Sequence, residues 1–326
     1  MNVVATAGVS DTGRKRRRNE DAYVVAPPLF AVADGMGGAQ AGEVASKLAA
    51  AALAEADGSV GGGVERVISL IQEANRRVYS RAVEDPSASG MGTTMTVALV
   101  ENGGVVIGHV GDSRAYLARD GRLEQLTDDH SLVNELMKSG KLSAEEAETH
   151  PQRSVITRAL GTDPDVDVDA FVVEAHDRDV FLLCSDGLTT MVDDAQILDV
   201  LEHHRDDLDR AARTLVSEAN RGGGEDNITV VAFELSVGGD SAETLKLPAQ
   251  RSTDDEDTLD GIEIPPPVDT MVVPADQVEV ALAEYEANPP DAEPSEFPRA
   301  ARVRLAAAMF VLFAVAAGLV VWGLLR

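Results

Sequence analysis

The sequence predicts an α+β protein: two antiparallel sheets with helices packed on their outer faces. Two observations point there. At least seven β-branched or alternating runs fall within residues 1–236, with helical candidates between groups of them. Several of these runs follow one another through short turns before any helix intervenes, which a regular βαβ winding does not allow. A chain of 326 residues can bury a substantial core in this arrangement.

In order, the strand candidates are "AYVV", "LFAVAD", "TTMTVALV", "GGVVIGHVGD", "RAYLARDGRLEQL", "DVFLLCSD" and "NITVVAFEL", each bounded by Gly, Asp or Asn. The helix candidates are 42–55, 64–83, a shorter one after His130, 194–201 and 207–219. Asp120 and Gly121 stand between two alternating segments, as a two-residue hairpin turn requires. Cys184 is the single cysteine, so an intrachain disulfide and a thiolate metal site are excluded, which is consistent with a reducing compartment. It lies in an apolar run and reads as core packing, not as a nucleophile.

Charge divides the chain into three regions. The formal net charge is -28, which opposes non-specific binding to nucleic acid and favours cations. About half of it comes from 237–298, a segment rich in Pro, Asp, Glu, Ser and Thr with Lys246 and Arg251 as its only bases. Low hydrophobicity with like charge predicts a disordered acidic linker spanning on the order of 40 Å, with a short amphipathic helix around 275–286. Residues 299–326 read as a transmembrane anchor with a basic flank: 305–325 is uninterruptedly apolar and about 31 Å long as a helix. Arg299, Arg302 and Arg304 precede it and Arg326 follows, so the positive-inside bias places everything before it in the cytoplasm. The first 18 residues hold no apolar stretch long enough for a secretory signal. The expected location is therefore the cell membrane, single-pass, with domain 1–236 cytoplasmic.

The chemistry resides in aspartates. Asp34 and Asp186 each end an apolar strand candidate, Asp112 follows another, and Asp226 precedes a fourth. Strands lying side by side would bring these four carboxylates to one end of the sheets, where they cannot all stay ionised without cations. Oxygen ligands without a His or Cys cluster point to Mg²⁺ or Mn²⁺ and away from zinc. In "VADGMGGAQAGEVAS", Gly35 would let its carbonyl face a metal, and Gly37 and Gly38 would let the chain turn close by. The run "GRKRRRNEDAY" adds arginines, which bind phosphate oxygens bidentately, immediately before Glu20 and Asp21. Phosphate and metal binding in one place suggest phosphoester hydrolysis.

The ordered blocks "RKRRRNEDAY", "VADGMGGAQAGEVAS", "MGTTMTVALV", "GHVGDSRAYLARDGRLEQLTDDHS", "HPQRSVITRALG", "FLLCSDGL" and "GGEDNITVV" resemble the bacterial metal-dependent serine/threonine protein phosphatases of type 2C, over residues 3 to about 235. The resemblance implies an αββα sandwich with a two-metal centre in the cleft between its sheets. It implies that Asp34 bridges two Mn²⁺ or Mg²⁺ ions, that the Gly35 carbonyl binds one, and that Asp186 and Asp226 complete the set. Glu20 would hold metal-bound water, Asp112 with Asp186 a third and weaker ion, and Arg16 the phosphate, with Arg17 and Arg18 close in sequence. The implied reaction is direct attack of a metal-bridging hydroxide on phosphoserine or phosphothreonine, with no covalent phosphoenzyme. Many relatives carry a histidine where this chain has Met36, which cannot donate a proton. The segment 128–161 resembles the flap that borders the cleft, while Thr93, Thr94 and Ser113 read as structural hydrogen-bonding residues.

The expected partners are phosphorylated proteins, in particular membrane Ser/Thr kinases and their substrates, approached by a monomeric catalytic domain. Two alternatives stand beside this: a pseudophosphatase that binds phosphopeptides without cleaving them, and a hydrolase of a small phosphoester.

Overall fold

The computed structural model describes residues 1–37, 41–55, 62–101, 103–143, 146–147, 150–238 and the backbone of 271–272. The segments expected to form the anchor, the 275–286 helix and most of the acidic linker, together with Gly38, lie outside these residues. No helix among the described residues is long and apolar enough to cross a membrane.

Five strands form the first sheet, in the order β1 (Asn2–Asp11), β12 (Ile228–Ser236), β11 (Val180–Cys184), β7 (Arg114–Arg119), β8 (Arg122–Gln125). The second sheet runs β10 (Asp169–Glu174), β6 (Gly104–Val110), β5 (Met95–Glu101), β3 (Leu29–Met36), β2 (Asp21–Ala26), and the short β4 (Gly92–Thr93) pairs with β3. Every pairing within both sheets is antiparallel. Alternation explains how the sheets meet: one face of each strand contributes Phe30, Val32, Ile107, Leu117, Phe181, Leu183, Val231 and Phe233 to the layer between them. There Phe233 stacks on Phe30 at 4.1 Å and on Phe181 at 5.2 Å.

Helices cover both outer faces. On the second sheet lie α1 (Ala41–Ala54) and α2 (Gly63–Glu84). The inward stripe of α1 is Ala41, Ala45, Ala49 and Ala52, small enough for the helix to sit close to both β3 and α2. α2 buries Val67, Leu70, Ile71, Ala74 and Val78, spaced by three or four. The first sheet is covered by the one-turn α4 (Asp186–Thr189), α5 (Asp194–His203) and α6 (Leu208–Gly222), the last burying Leu208, Ala211, Ala212, Leu215, Val216 and Ala219. Side-chain caps fix both helix starts: Asp193 accepts from Gln196 N, and Asp207 from Arg210 N. Cys184 is fully buried and its thiol is pushed up to about 12 by burial, consistent with packing. The result is four layers: helices, sheet, sheet, helices.

All seven strand candidates are strands, and each described helix candidate is a helix with bounds within three residues. Asp120 and Gly121 turn the β7–β8 hairpin with φ of 51° and 69°. Among the longer strands, β1 and β10 carry too weak a pattern to read. Both are sheet edges, and β10 buries none of its six residues fully, so its alternation is diluted. Between β8 and β10, α3 (Leu132–Lys138) and β9 (Val155–Ile156) form the flap. Within the segment read as a disordered linker, the backbone of β13 (Met271–Val272) pairs parallel to β9, an order the acidic composition does not signal.

Candidate active site

Five carboxylates meet where strands of both sheets end. Asp34 lies two residues before the end of β3, and the β2–β3 register places Asp21 directly opposite it. Asp112 follows β6, Asp186 opens α4 just past β11, and Asp226 lies two residues before β12. Asp21 is buried, whereas Asp34, Asp112, Asp186 and Asp226 are partly reached by solvent. Glu20 precedes β2, and its carbonyl accepts from Gly35 N at 3.2 Å and from Ser46 Oγ at 2.5 Å.

The carboxylates perturb one another. Burial first, and then Asp21, Asp186, Asp226 and Asp112, hold the Asp34 carboxyl well above the usual range. Asp186 is raised well above its ordinary value by burial and then by Asp112, Asp226 and Asp21. Burial, followed by the charge of Asp129, pushes Asp112 up to about 7 although Arg114 opposes it. Asp21 is raised to about 6 by burial even though Thr229 Oγ1 and Ser185 Oγ donate to its Oδ2 at 2.6 Å and 2.9 Å. Its other oxygen, and Oδ1 of Asp186, are buried without a hydrogen-bond partner. Such a set of hard oxygen donors with surplus negative charge fits Mg²⁺ or Mn²⁺. Among the described residues no three His, Cys, Asp or Glu side chains already form a closed ligand set, so the fit rests on donor chemistry, charge and burial.

Neighbouring residues hold the acids in place. Gly35 is crowded by the carbonyls of Glu20 and Gly42, and a Cβ at this position would collide with both. Asp34 N donates to Thr94 Oγ1 at 3.0 Å, Thr93 Oγ1 donates to Asp34 O at 2.8 Å, and Thr94 Oγ1 shares a 2.7 Å hydrogen bond with Ser113 Oγ beside Asp112. These three hydroxyls are structural, as read. Arg16 Nη2 donates to Asp226 Oδ2 at 2.7 Å, and its side chain is largely enclosed, while Arg17 and Arg18 are exposed. Arg16 is thus joined to Asp226 of the acid cluster from a largely enclosed position. Met36 packs with Ile156 and Ala159 of the flap.

Two important residues are absent from the sequence-derived site. Asp21 is a fifth acid; its position at the start of a strand, beside Glu20, was the available signal. Asn227 accepts from Glu20 N at 2.8 Å and donates to the carbonyls of Thr12 and Arg18, both at 2.9 Å, tying the arginine loop to β12. Nothing in its residue type announces that role.

The sequence matches the protein phosphatase 2C family over residues 13–221. The serine/threonine phosphatase Stp of Listeria welshimeri is 42% identical over 239 residues, which is 70% of this chain and 94% of the relative. PstP of Mycobacterium tuberculosis, a serine/threonine protein phosphatase, is 40% identical over 259 residues, 79% of this chain and 50% of its own length. The crystal structure of that phosphatase superposes with a TM-score of 0.68 at 41% identity, covering 72% of this chain and 100% of the solved one. A second structure, of the PstP catalytic domain in complex with two manganese ions, gives a TM-score of 0.65 at 39% identity, covering 72% of this chain and 99% of that one. The chain belongs to the protein phosphatase 2C family of serine/threonine phosphatases.

Proposed function

We propose that the protein hydrolyses phosphoserine and phosphothreonine in phosphorylated proteins, with Asp34, Gly35, Asp186, Asp226, Asp112 and Glu20 holding Mn²⁺ or Mg²⁺. The observation that carries this reading is the convergence of carboxylates from both sheets, each raising its neighbours' affinity for positive charge. The manganese in the PstP catalytic domain supports Mn²⁺ in particular. When bound, such cations lower the pKa of coordinated water and neutralise charge on the phosphoryl oxygens.

The chain's own residues do the rest. Arg16, oriented by Asp226, receives the phosphoryl group through its guanidinium. Asn227 fixes the Glu20 backbone and the arginine loop, so both approach the phosphate from one side. Met36 packs against Ile156 and Ala159 beneath the flap and offers no proton, so a water held by the cations would have to protonate the leaving oxygen. Asp21, held by Ser185 and Thr229, braces Asp34 across the β2–β3 register. Phosphate release from a phosphothreonine peptide with Mn²⁺, abolished by chelation and by Asp34→Asn, tests the proposal. A folded protein inert to every phosphopeptide overturns it.

The apolar length of 305–325 and the arginines before it support a membrane anchor, with the catalytic domain on the cytoplasmic side facing membrane Ser/Thr kinases and their substrates. Deleting 305–326 should release the enzyme to the soluble fraction with peptide hydrolysis intact. Unchanged recovery in membranes refutes the anchor.

A further inference from the structure

The pairing of β13 with β9 bears directly on substrate access. Met271 stands opposite Val155 and Val272 opposite Ile156, in parallel register. On its other side β9 is tied to the flap itself: Ser131 bridges Ile156, and Thr157 N donates to His130 O at 2.9 Å. The outer edge of β9 is thus a short row of main-chain donors and acceptors, and β13 is the only strand on it among the described residues.

That edge is close to the chemistry. Ile156 packs on Met36, two residues beyond Asp34. Four residues on, Leu160 exchanges both backbone hydrogen bonds with Thr93, whose hydroxyl holds Asp34 O. Arg153, two residues before β9, acts together with Lys15 on Glu225, whose carboxyl is held below the usual range first by Lys15 at 2.9 Å. Glu225 adjoins Asp226. The β9 strand therefore packs beside the end of β3 that carries Asp34.

We propose that the outer edge of β9 is a binding site for an extended peptide by strand addition, filled in this structure by the protein's own residues Met271–Val272 and taken by the phosphoprotein substrate in their place. The proposal rests on the phosphatase reading. Strand addition draws its affinity from main-chain hydrogen bonds, so it accepts extended segments without β-breaking residues. The internal segment can reach the site: 34 residues separate β12 from β13, a contour of up to about 110 Å. A two-residue ladder is weak, yet a segment on the same chain meets its site at an effective concentration on the order of millimolar. The Met271–Val272 strand is thereby a reversible brake. A phosphopeptide must displace it, whereas a small phosphoester need not.

The test uses the full chain. Facing residues of paired strands lie about 5 Å apart, within disulfide range, and the one native cysteine is buried. In Val155→Cys/Met271→Cys, oxidation should close a disulfide and raise the KM for a phosphothreonine peptide at least fivefold, with recovery on reduction. Turnover of p-nitrophenyl phosphate should not differ between the oxidised and reduced forms of this variant. In the opposite direction, Val272→Pro should lower the peptide KM two- to fivefold without altering p-nitrophenyl phosphate hydrolysis. Failure of the disulfide to form, or unchanged peptide kinetics in both variants, overturns the proposal. Loss of p-nitrophenyl phosphate hydrolysis in the unmodified enzyme would instead overturn the phosphatase reading.

Discussion

Replacing Asp112 by asparagine should stabilise the protein when cations are removed. The Asp112 carboxyl is raised from 3.8 to about 7, chiefly by burial. Between those values the native state binds a proton that the unfolded chain has released, so stability falls as pH rises through the window and is lowest above it. About three pKa units correspond to about 4 kcal/mol if the whole penalty fell on this one group. Asp112 is partly reached by solvent and its neighbours share the uptake of protons, so screening leaves about 1–2 kcal/mol. For a fold of this size that is a rise in Tm of about 2–8 °C. Thermal melts of Asp112→Asn against the parent in EDTA should show this gain at pH 8 and almost none at pH 4. Saturating Mn²⁺ should cancel or reverse it, because the carboxylate then has a cation to meet. A variant that melts at or below the parent in EDTA at pH 8, or a gain independent of pH, refutes the account of mutual repulsion.

Other substitutions probe the supporting residues. Asn227→Ala removes the hydrogen bonds to the Glu20 amide and two loop carbonyls, so it should cost about 1–3 kcal/mol in chemical denaturation and lower kcat/KM for phosphopeptide at least tenfold; unaltered kinetics would remove it from the positioning set. Gly35→Ala forces a Cβ against the carbonyls of Glu20 and Gly42, and should abolish activity or soluble expression. Met36→Leu conserves volume under the flap, so it should cost less than about 1.5 kcal/mol and keep most activity. A loss beyond tenfold would assign the thioether a chemical role.

The central strands were legible because they are buried on both faces, which makes their β-branched runs long and their ends sharp. The same sharpness exposed the site: Asp34, Asp112 and Asp186 are each the first acid after an apolar run, and the sheets bring those ends together. β1 and β10 escaped because almost none of their residues is fully buried, which dilutes the alternation. Asp21 escaped because its role depends on register: only the β2–β3 pairing puts it across from Asp34. Asn227 and the β13–β9 pairing escaped for a related reason, since both depend on main-chain groups brought together from distant parts of the chain. No local pattern encodes such partners.

Calorimetric titration of the full chain with Mn²⁺ at pH 7.5 tests most directly whether these carboxylates exist to hold cations. The account predicts at least two binding events, reduced by Asp34→Asn and accompanied by proton release that the raised acids supply. A flat titration at millimolar Mn²⁺, with the protein folded, would contradict it.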